Sequence, residues 1–307
     1  MSDTMIHVEG LTKFYGKASV LKGVDFDVHK GSVFCLLGSN GAGKTTIIRI
    51  LATLIKPNGG KAQVCGYDVV KEAGQVRRHI SLTGQYAAVD ELLTARENLI
   101  MTGQLFHMKD SKHRANELLA QFNLQNDGDK KVSAYSGGMR RRLDIAMSLA
   151  GNPEVIFLDE PTTGLDPQNR IEMWNIVKNL VASGTTIFLT TQYLEEAERL
   201  ADTIAVLHEG KIVTQGTPDE LKSRVHECRI LFRFADVQQL QTAIERLSDC
   251  VTEADDNALT LSVRADGSVS AVATIISHLD GLDVIGMEQK SASLEDVFLK
   301  LIETEGK

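Results

Sequence analysis

The stretch "GSNGAGKTT", Gly38 to Thr46, has the composition of a phosphate cradle. It matches G-x-x-x-x-G-K-[ST], follows the apolar run "SVFCLLG", and opens the helical pattern "KTTIIRILATLI". A glycine-rich turn lets successive backbone N–H groups face an anion, and the helix start adds the positive end of its dipole. Gly38, Gly41 and Gly43 supply the curl, with Asn40 and Thr46 as further nucleotide contacts of the same loop. Lys44 suits the β- and γ-phosphates of a nucleotide, and the Thr45 hydroxyl suits Mg²⁺. Such a loop needs an acid on a neighbouring strand to hold the metal. "VIFLDE" supplies Asp159 at the end of a buried strand, and Glu160 next to it suits a general base on the attacking water.

A second glycine-led helix start, "YSGGMRRRL" from Tyr135 to Leu143, lies far downstream on what reads as a separate helical insert. The first cradle already surrounds one side of a triphosphate. Ser136 and the Gly137 and Gly138 amides reach the other side only if they come from another copy of the chain, in a two-fold sandwich holding two ATP molecules. The plain alternative is that Ser136 only caps its helix. Arg140 to Arg142 put positive charge at the positive end of that helix, which an anion or acidic partners would relieve.

These residues need a scaffold, and residues 1–222 read as α/β. "SVFCLLG", "EVIFLDE" and "TTIFLTT" are buried strands, and "TIAVLHEGKIVTQGT" is a hairpin turning at Glu209-Gly210. Buried strands alternating with helices predict a mostly parallel sheet covered on both faces. Between about 86 and 155 the strand signal gives way to helical patterns, predicting a helical insert. Residues 223–307 change rhythm to strand, helix, strand, strand, helix, strand, then the helical "SLEDVFLKLIE". That βαββαβ order predicts a small α+β, ferredoxin-like accessory domain.

Composition limits the function. The chain has 307 residues, 43% hydrophobic and 24% charged, enough for two cores. No apolar run approaches the ~20 residues that cross a bilayer, and "MSDTMIHVEGL" lacks the pattern of a signal peptide. Any membrane role is therefore expected to work through a partner. The net charge of −8 is uneven: residues 1–222 hold 25 basic and 26 acidic side chains, residues 223–307 hold 8 and 15. An acidic second domain argues against nucleic acid as partner. Cys35, Cys65, Cys228 and Cys250 have no metal-binding spacing and read as free thiols of a reducing compartment.

Taken in order over residues 5 to about 220, these motifs resemble the P-loop ATPase subunit of an ABC transporter. The resemblance implies further roles. Tyr15, in "LTKFYG", matches the aromatic that stacks on adenine. Gln85 matches the glutamine that contacts metal or water and responds to the membrane partner. Ser136, Gly137 and Gly138 belong to the family signature, and Asp166 in "TTGLD" matches the loop that communicates across the dimer. The family's switch histidine is replaced by Gln192 in "LTTQYLEEAE". Glutamine donates one hydrogen bond to a γ-phosphate oxygen but cannot become a cation. "YSGGMRRRL", "TTQYLEEAE" and "SLEDVFL" together look like the daunorubicin-resistance type of drug exporter. The resemblance thus implies an ATP- and Mg²⁺-dependent homodimer on the cytoplasmic face of the membrane, driving a separate permease. A soluble ABC ATPase acting as a conformational switch and an importer motor with a regulatory C-terminal domain are the alternatives.

Overall fold

The computed structural model describes residues 3–85, 87–223, 228–265, 268–290 and 293–298. They fall into two units, Met1–Pro218 and Asp219–Lys307.

The first unit begins with two long antiparallel strands, β1 (Thr4–Tyr15) and β2 (Ala18–His29). Next come β3 (Val33–Leu37), α1 (Lys44–Leu51), β4 (Gly59–Val64), β5 (Tyr67–Asp68), α2 (Ala73–His79) and β6 (Ile80–Thr83). β1, β2, β4 and β5 form an antiparallel sheet in the order β2-β1-β4-β5, which the sequence reading did not anticipate. Helix α1 is shorter than its apolar pattern. Thr53 takes a φ of 63°, and the Leu54 N–H turns back to the Arg49 carbonyl at 2.8 Å, ending the helix before Pro57.

Three helices follow: α3 (Ala95–Leu105), α4 (Ser111–Gln121) and α5 (Gly137–Ser148). Each has a side-chain cap, from Thr94 in a capping box with Glu97, from Asp110, and from Ser136. The chain then runs through β7 (Val155–Asp159), α6 (Pro167–Ala182), β8 (Thr186–Thr191), α7 (Leu194–Leu200), β9 (Thr203–His208) and β10 (Lys211–Gly216). The six-stranded sheet has the order β10-β9-β3-β8-β7-β6, parallel except for the β10 edge. Glu209 and Gly210 make the β9–β10 turn with φ of 43° and 82°, as a two-residue hairpin requires.

One core joins the two sheets and α1. Phe34 on β3 stacks on Phe26 of β2 at 5.0 Å and on Phe188 of β8 at 5.4 Å, and Phe157 of β7 closes the row. β3, β7 and β8 are buried along their whole length. Their C-terminal ends therefore hold rigidly the loops that carry Gly38 to Lys44, Glu160 and Gln192.

The second unit contains α8 (Pro218–Ser223), β11 (Cys228–Phe234), α9 (Val237–Arg246), β12 (Val251–Asp255), β13 (Thr260–Ala265), α10 (Val269–His278) and β14 (Val284–Lys290). Its antiparallel sheet has the order β12-β13-β11-β14. Ile230, Phe232 and Phe234 of β11 pack with Leu240 and Ala243 of α9 and Ile275 of α10 in a core of their own. Residues 294–298 are helical, and the part of "SLEDVFLKLIE" after 298 lies outside the described residues.

Candidate functional site

The loop after β3 wraps the start of α1 around a cavity of about 180 Å³. Asn40, Gly41, Gly43 and Lys44 line it from the loop, and Thr45 and Thr46 from the helix. Gln85 and Glu160 enter from two other loops. Gly43 has a φ of 113°, and a Cβ there would meet Leu21 Cδ2 at 2.8 Å, so this turn admits no side chain.

Lys44 is buried, and its ammonium donates to the Gly38 carbonyl at 2.8 Å and the Ser39 carbonyl at 3.2 Å. Its third partner is Glu160 Oε1 at 3.1 Å. An ammonium has three N–H donors, so these contacts use all of them. Glu160 has a φ of 50°, a left-handed conformation in which a residue other than glycine is strained. Strand β8 holds it there: the Glu160 N–H donates to the Thr190 carbonyl at 3.1 Å and to Thr190 Oγ1 at 3.2 Å.

Asp159 is buried at the end of β7. Its Oδ1 accepts from Thr190 Oγ1 at 2.6 Å and from Thr45 Oγ1 at 3.3 Å. A carboxylate and a hydroxyl are thus held face to face, a hard-oxygen pair of the kind Mg²⁺ takes while phosphate and water oxygens fill its other positions. The residues present fit that ion. A second cavity of about 310 Å³ contains Thr45, Gln85 and Asp159 together, so Gln85 stands beside this pair as well as beside the cradle.

Comparison with known proteins gives the family. Residues 21–163 match the family described as ABC transporter. The chain is 46% identical to the daunorubicin resistance ATP-binding protein DrrA2 of Streptomyces coeruleorubidus over 308 aligned residues, covering 98% of this chain and 96% of the relative. The chain belongs to the ATP-binding proteins of ABC transporters.

Another member of this family, Nod factor export ATP-binding protein I of Ralstonia nicotianae, is 39% identical, covering 98% of this chain and 94% of that one. Among solved structures, an ATP-binding subunit of an ABC transporter aligns with a TM-score of 0.65 at 29% identity, covering 72% of this chain and 93% of its own. A dimeric ATP-binding cassette in a post-hydrolysis state, bound to ADP and Pi, aligns at 0.63 and 27%, covering 69% and 98%. As an ABC ATPase domain the first unit belongs to a class that binds and hydrolyses ATP.

Within this ABC ATP-binding protein the remaining expected residues do not line the cradle's cavity. Ser136 caps α5, its Oγ accepting from the Met139 N–H at 3.2 Å, which leaves the hydroxyl proton free to donate. Gly137 lines a third cavity of about 360 Å³ with Thr163, Gly164 and Gln85. Gly138 lies against the Asn169 side chain, whose amide a Cβ there would displace. Asp166 caps α6, accepting from the Asn169 N–H at 2.9 Å, and that bond with the Asn169 side-chain amide holds its carboxyl below the usual range. Tyr15 ends β1, half exposed, with Lys13 Nζ 5.3 Å from its ring centre. Gln192 follows β8, directly after Thr191, whose carbonyl accepts from the Gly38 N–H at 3.2 Å.

The three arginines have protein partners, so no anion is required to explain them. Arg140 pairs with Glu91 at 2.9 Å and Arg142 with Glu172 at 3.2 Å. Arg141 is buried with Asp144 at 3.2 Å. The sequence reading also missed Thr190, which positions both acids; the signal was a threonine pair ending an otherwise apolar strand.

Proposed function

We propose that this chain is the ATP-hydrolysing motor of a drug exporter, working as a homodimer on a separate permease at the cytoplasmic face of the membrane. The observation that carries the catalytic reading is the grouping of Lys44, Thr45, Gln85, Asp159 and Glu160 around adjoining cavities at the ends of β3, β6 and β7. The likeness over nearly the full length to daunorubicin resistance and Nod factor export proteins supports export.

In the proposed reaction the loop amides and Lys44 hold the nucleotide phosphates. Lys44 has no spare donor, so a γ-phosphate takes the place of the Glu160 carboxylate. Glu160, released at the end of β7, accepts a proton from the attacking water. Gln192 donates to the γ-phosphate, and Tyr15 stacks on adenine. Asp159, Thr45 and Gln85 would hold Mg²⁺, which would neutralise charge on the phosphate oxygens. Ser136 to Gly138 of the second copy cover the far side of the nucleotide, and Asp166 lies at that interface.

We read residues 86–155 as the helical insert and the C-terminal unit as a ferredoxin-like accessory module that stabilises the dimer; its element order and sheet order support that reading. The test is ATP turnover by the purified chain, with and without Mg²⁺, beside co-purification with a membrane protein. A chain that binds ATP without hydrolysing it, alone or in membranes, would refute the motor.

A further inference from the structure

We propose that Arg141, balanced by Asp144, is a positioning residue that ties the Gln85 loop to the backbone around Glu160. This inference rests on the proposed ATPase and goes beyond it, since neither side chain touches the cradle.

The bonds of this one guanidinium define its role. Arg141 Nε donates to the Pro161 carbonyl at 3.0 Å, and Nη2 to the Asp159 carbonyl at 3.3 Å. Those carbonyls flank Glu160 on both sides. Nη1 donates to the Gly84 carbonyl, immediately before Gln85, and to Asp144 Oδ2 at 3.2 Å. Asp144, one turn along α5, accepts the Ala88 N–H on its Oδ1 at 2.9 Å. The pair therefore grips the Gln85 loop at Gly84 and Ala88, and grips the strained Glu160 from the side opposite Thr190.

Both side chains are buried, at 6% and 7% exposure. Removing a charge from water is costly, and a buried ion pair is poor evidence for stability by itself. A planar fork with donors pointing three ways does something a hydrophobic pair cannot: it sets three backbone segments at fixed spacing. Gln85 has no rigid element of its own, lying after β6 in a loop. Glu160 is in a backbone conformation that relaxes unless it is held. A shift of the 84–88 segment is transmitted through Arg141 to the carbonyls on either side of the base. Helix α5, which starts at the signature residues Gly137 and Gly138, is the body through which it passes.

The experiment uses the full-length chain with three variants: Arg141→Lys, Arg141→Met/Asp144→Leu, and Glu160→Gln as the inactive reference. The double variant removes both charges together, so it keeps the fold without an orphaned ion. Expected is a kcat about a hundredfold lower in the double variant, the scale of loss from a misplaced catalytic group, with nucleotide affinity within threefold of wild type and a cooperative melt at a lower temperature, since the backbone groups lose their partners. Arg141→Lys keeps the charge but not the fork, and is expected to recover less than a tenth of the lost rate. Amide hydrogen exchange is expected to rise together at residues 84–88 and 159–160, and not in α1. Wild-type kcat in a folded double variant, with Glu160→Gln inactive, would overturn this inference and leave the ATPase standing. An inactive wild-type chain would overturn the ATPase and this role with it.

Discussion

Lys44 and Glu160 form a buried ion pair, Nζ to Oε1 at 3.1 Å, linking the phosphate cradle to the end of β7. In the proposed reaction Glu160 is the base and Lys44 the phosphate's cation, so the pair makes nucleotide binding and base release one exchange: phosphate for carboxylate on the same ammonium.

That exchange predicts the behaviour of Glu160→Gln. The amide competes less well than a carboxylate for Lys44, so ATP is expected to bind at least as tightly as to wild type, by up to about tenfold, ~1.4 kcal/mol. Turnover is expected to fall by roughly 10²–10⁴, the usual worth of a general base. Titration with labelled ATP and a phosphate-release assay measure the two effects separately. Weaker binding would show that the pair assists the cradle instead of competing with phosphate.

Gln192 is expected to act through a single hydrogen bond. Gln192→Ala removes a donor from the γ-phosphate and is expected to lower kcat about a hundredfold, ~3 kcal/mol in the transition state. Gln192→His retains a donor and is expected to stay active. An alanine variant with wild-type turnover would make Gln192 a structural residue.

Gly138 and Asn169 make a third test. A Cβ at 138 would meet the Asn169 side chain, which also bonds Asp166. Gly138→Ala is therefore expected to displace the Asn169 amide from Asp166 and to destabilise the chain by about 0.5–1.5 kcal/mol, the scale of one hydrogen bond. In an Asn169→Ala background that bond is already gone, so Gly138→Ala is expected to cost little more, read from urea midpoints. An equal cost in both backgrounds would show that it arises elsewhere.

These cases show which parts were legible beforehand. β3, β7 and β8 were, because each is an apolar run ending in chemistry: Gly38, Asp159-Glu160, and the threonines before Gln192. The antiparallel sheet was not. β1 and β2 are long but carry polar residues on one side, and register shifts at Val8/Leu11 and Lys13/Phe14 break the alternation that would reveal a strand. Arg141 was read only as charge at a helix start. Its partners are carbonyls of Gly84, Asp159 and Pro161, which no residue pattern announces because every residue carries a carbonyl. Glu160 was legible as an acid beside an expected metal ligand, while its left-handed backbone and its pairing with Lys44 depend on the folded chain.

Glu196 predicts a pH effect. It is fully buried on α7, with Trp174 Nε1 donating to its Oε1 at 3.4 Å and no hydrogen-bond partner for Oε2 among the described residues. Burial raises its carboxyl above the ordinary glutamate value of 4.5, against the opposing pull of Thr191, Thr162, Trp174 and Arg170. The folded state therefore holds this proton more tightly than the unfolded state. Its contribution to stability falls as pH rises from 4.5 through the raised folded value, and is constant outside that window. Glu196→Gln has no such titration. The variant's melting temperature, relative to wild type, is expected to be more favourable at pH 8 than at pH 4.5. A difference independent of pH would mean that burial does not perturb this group.

The last prediction concerns the second glycine-led helix start. If Ser136 to Gly138 act on ATP held by the other copy, neither copy has a complete site, and specific activity is expected to rise with protein concentration. Mixing variants tests this more sharply. Lys44→Ala breaks the cradle, and Ser136→Arg breaks the signature. Each homodimer has two defective sites and is expected to be nearly inactive. In the mixed dimer both lesions fall on one site, because the altered cradle faces the altered signature, and the other site is intact. Equal mixing is therefore expected to restore turnover, to about a quarter of wild type if half the dimers are mixed and each has one independent working site. A cis arrangement gives no rescue, since every subunit carries its own lesion. Strict coupling of the two sites also gives none, and cross-linking of a cysteine pair across the interface separates these cases: an ATP-dependent cross-link between copies keeps the trans site, and none removes it. Activity linear in concentration, from a chain shown to be monomeric over the same range, would exclude the sandwich outright.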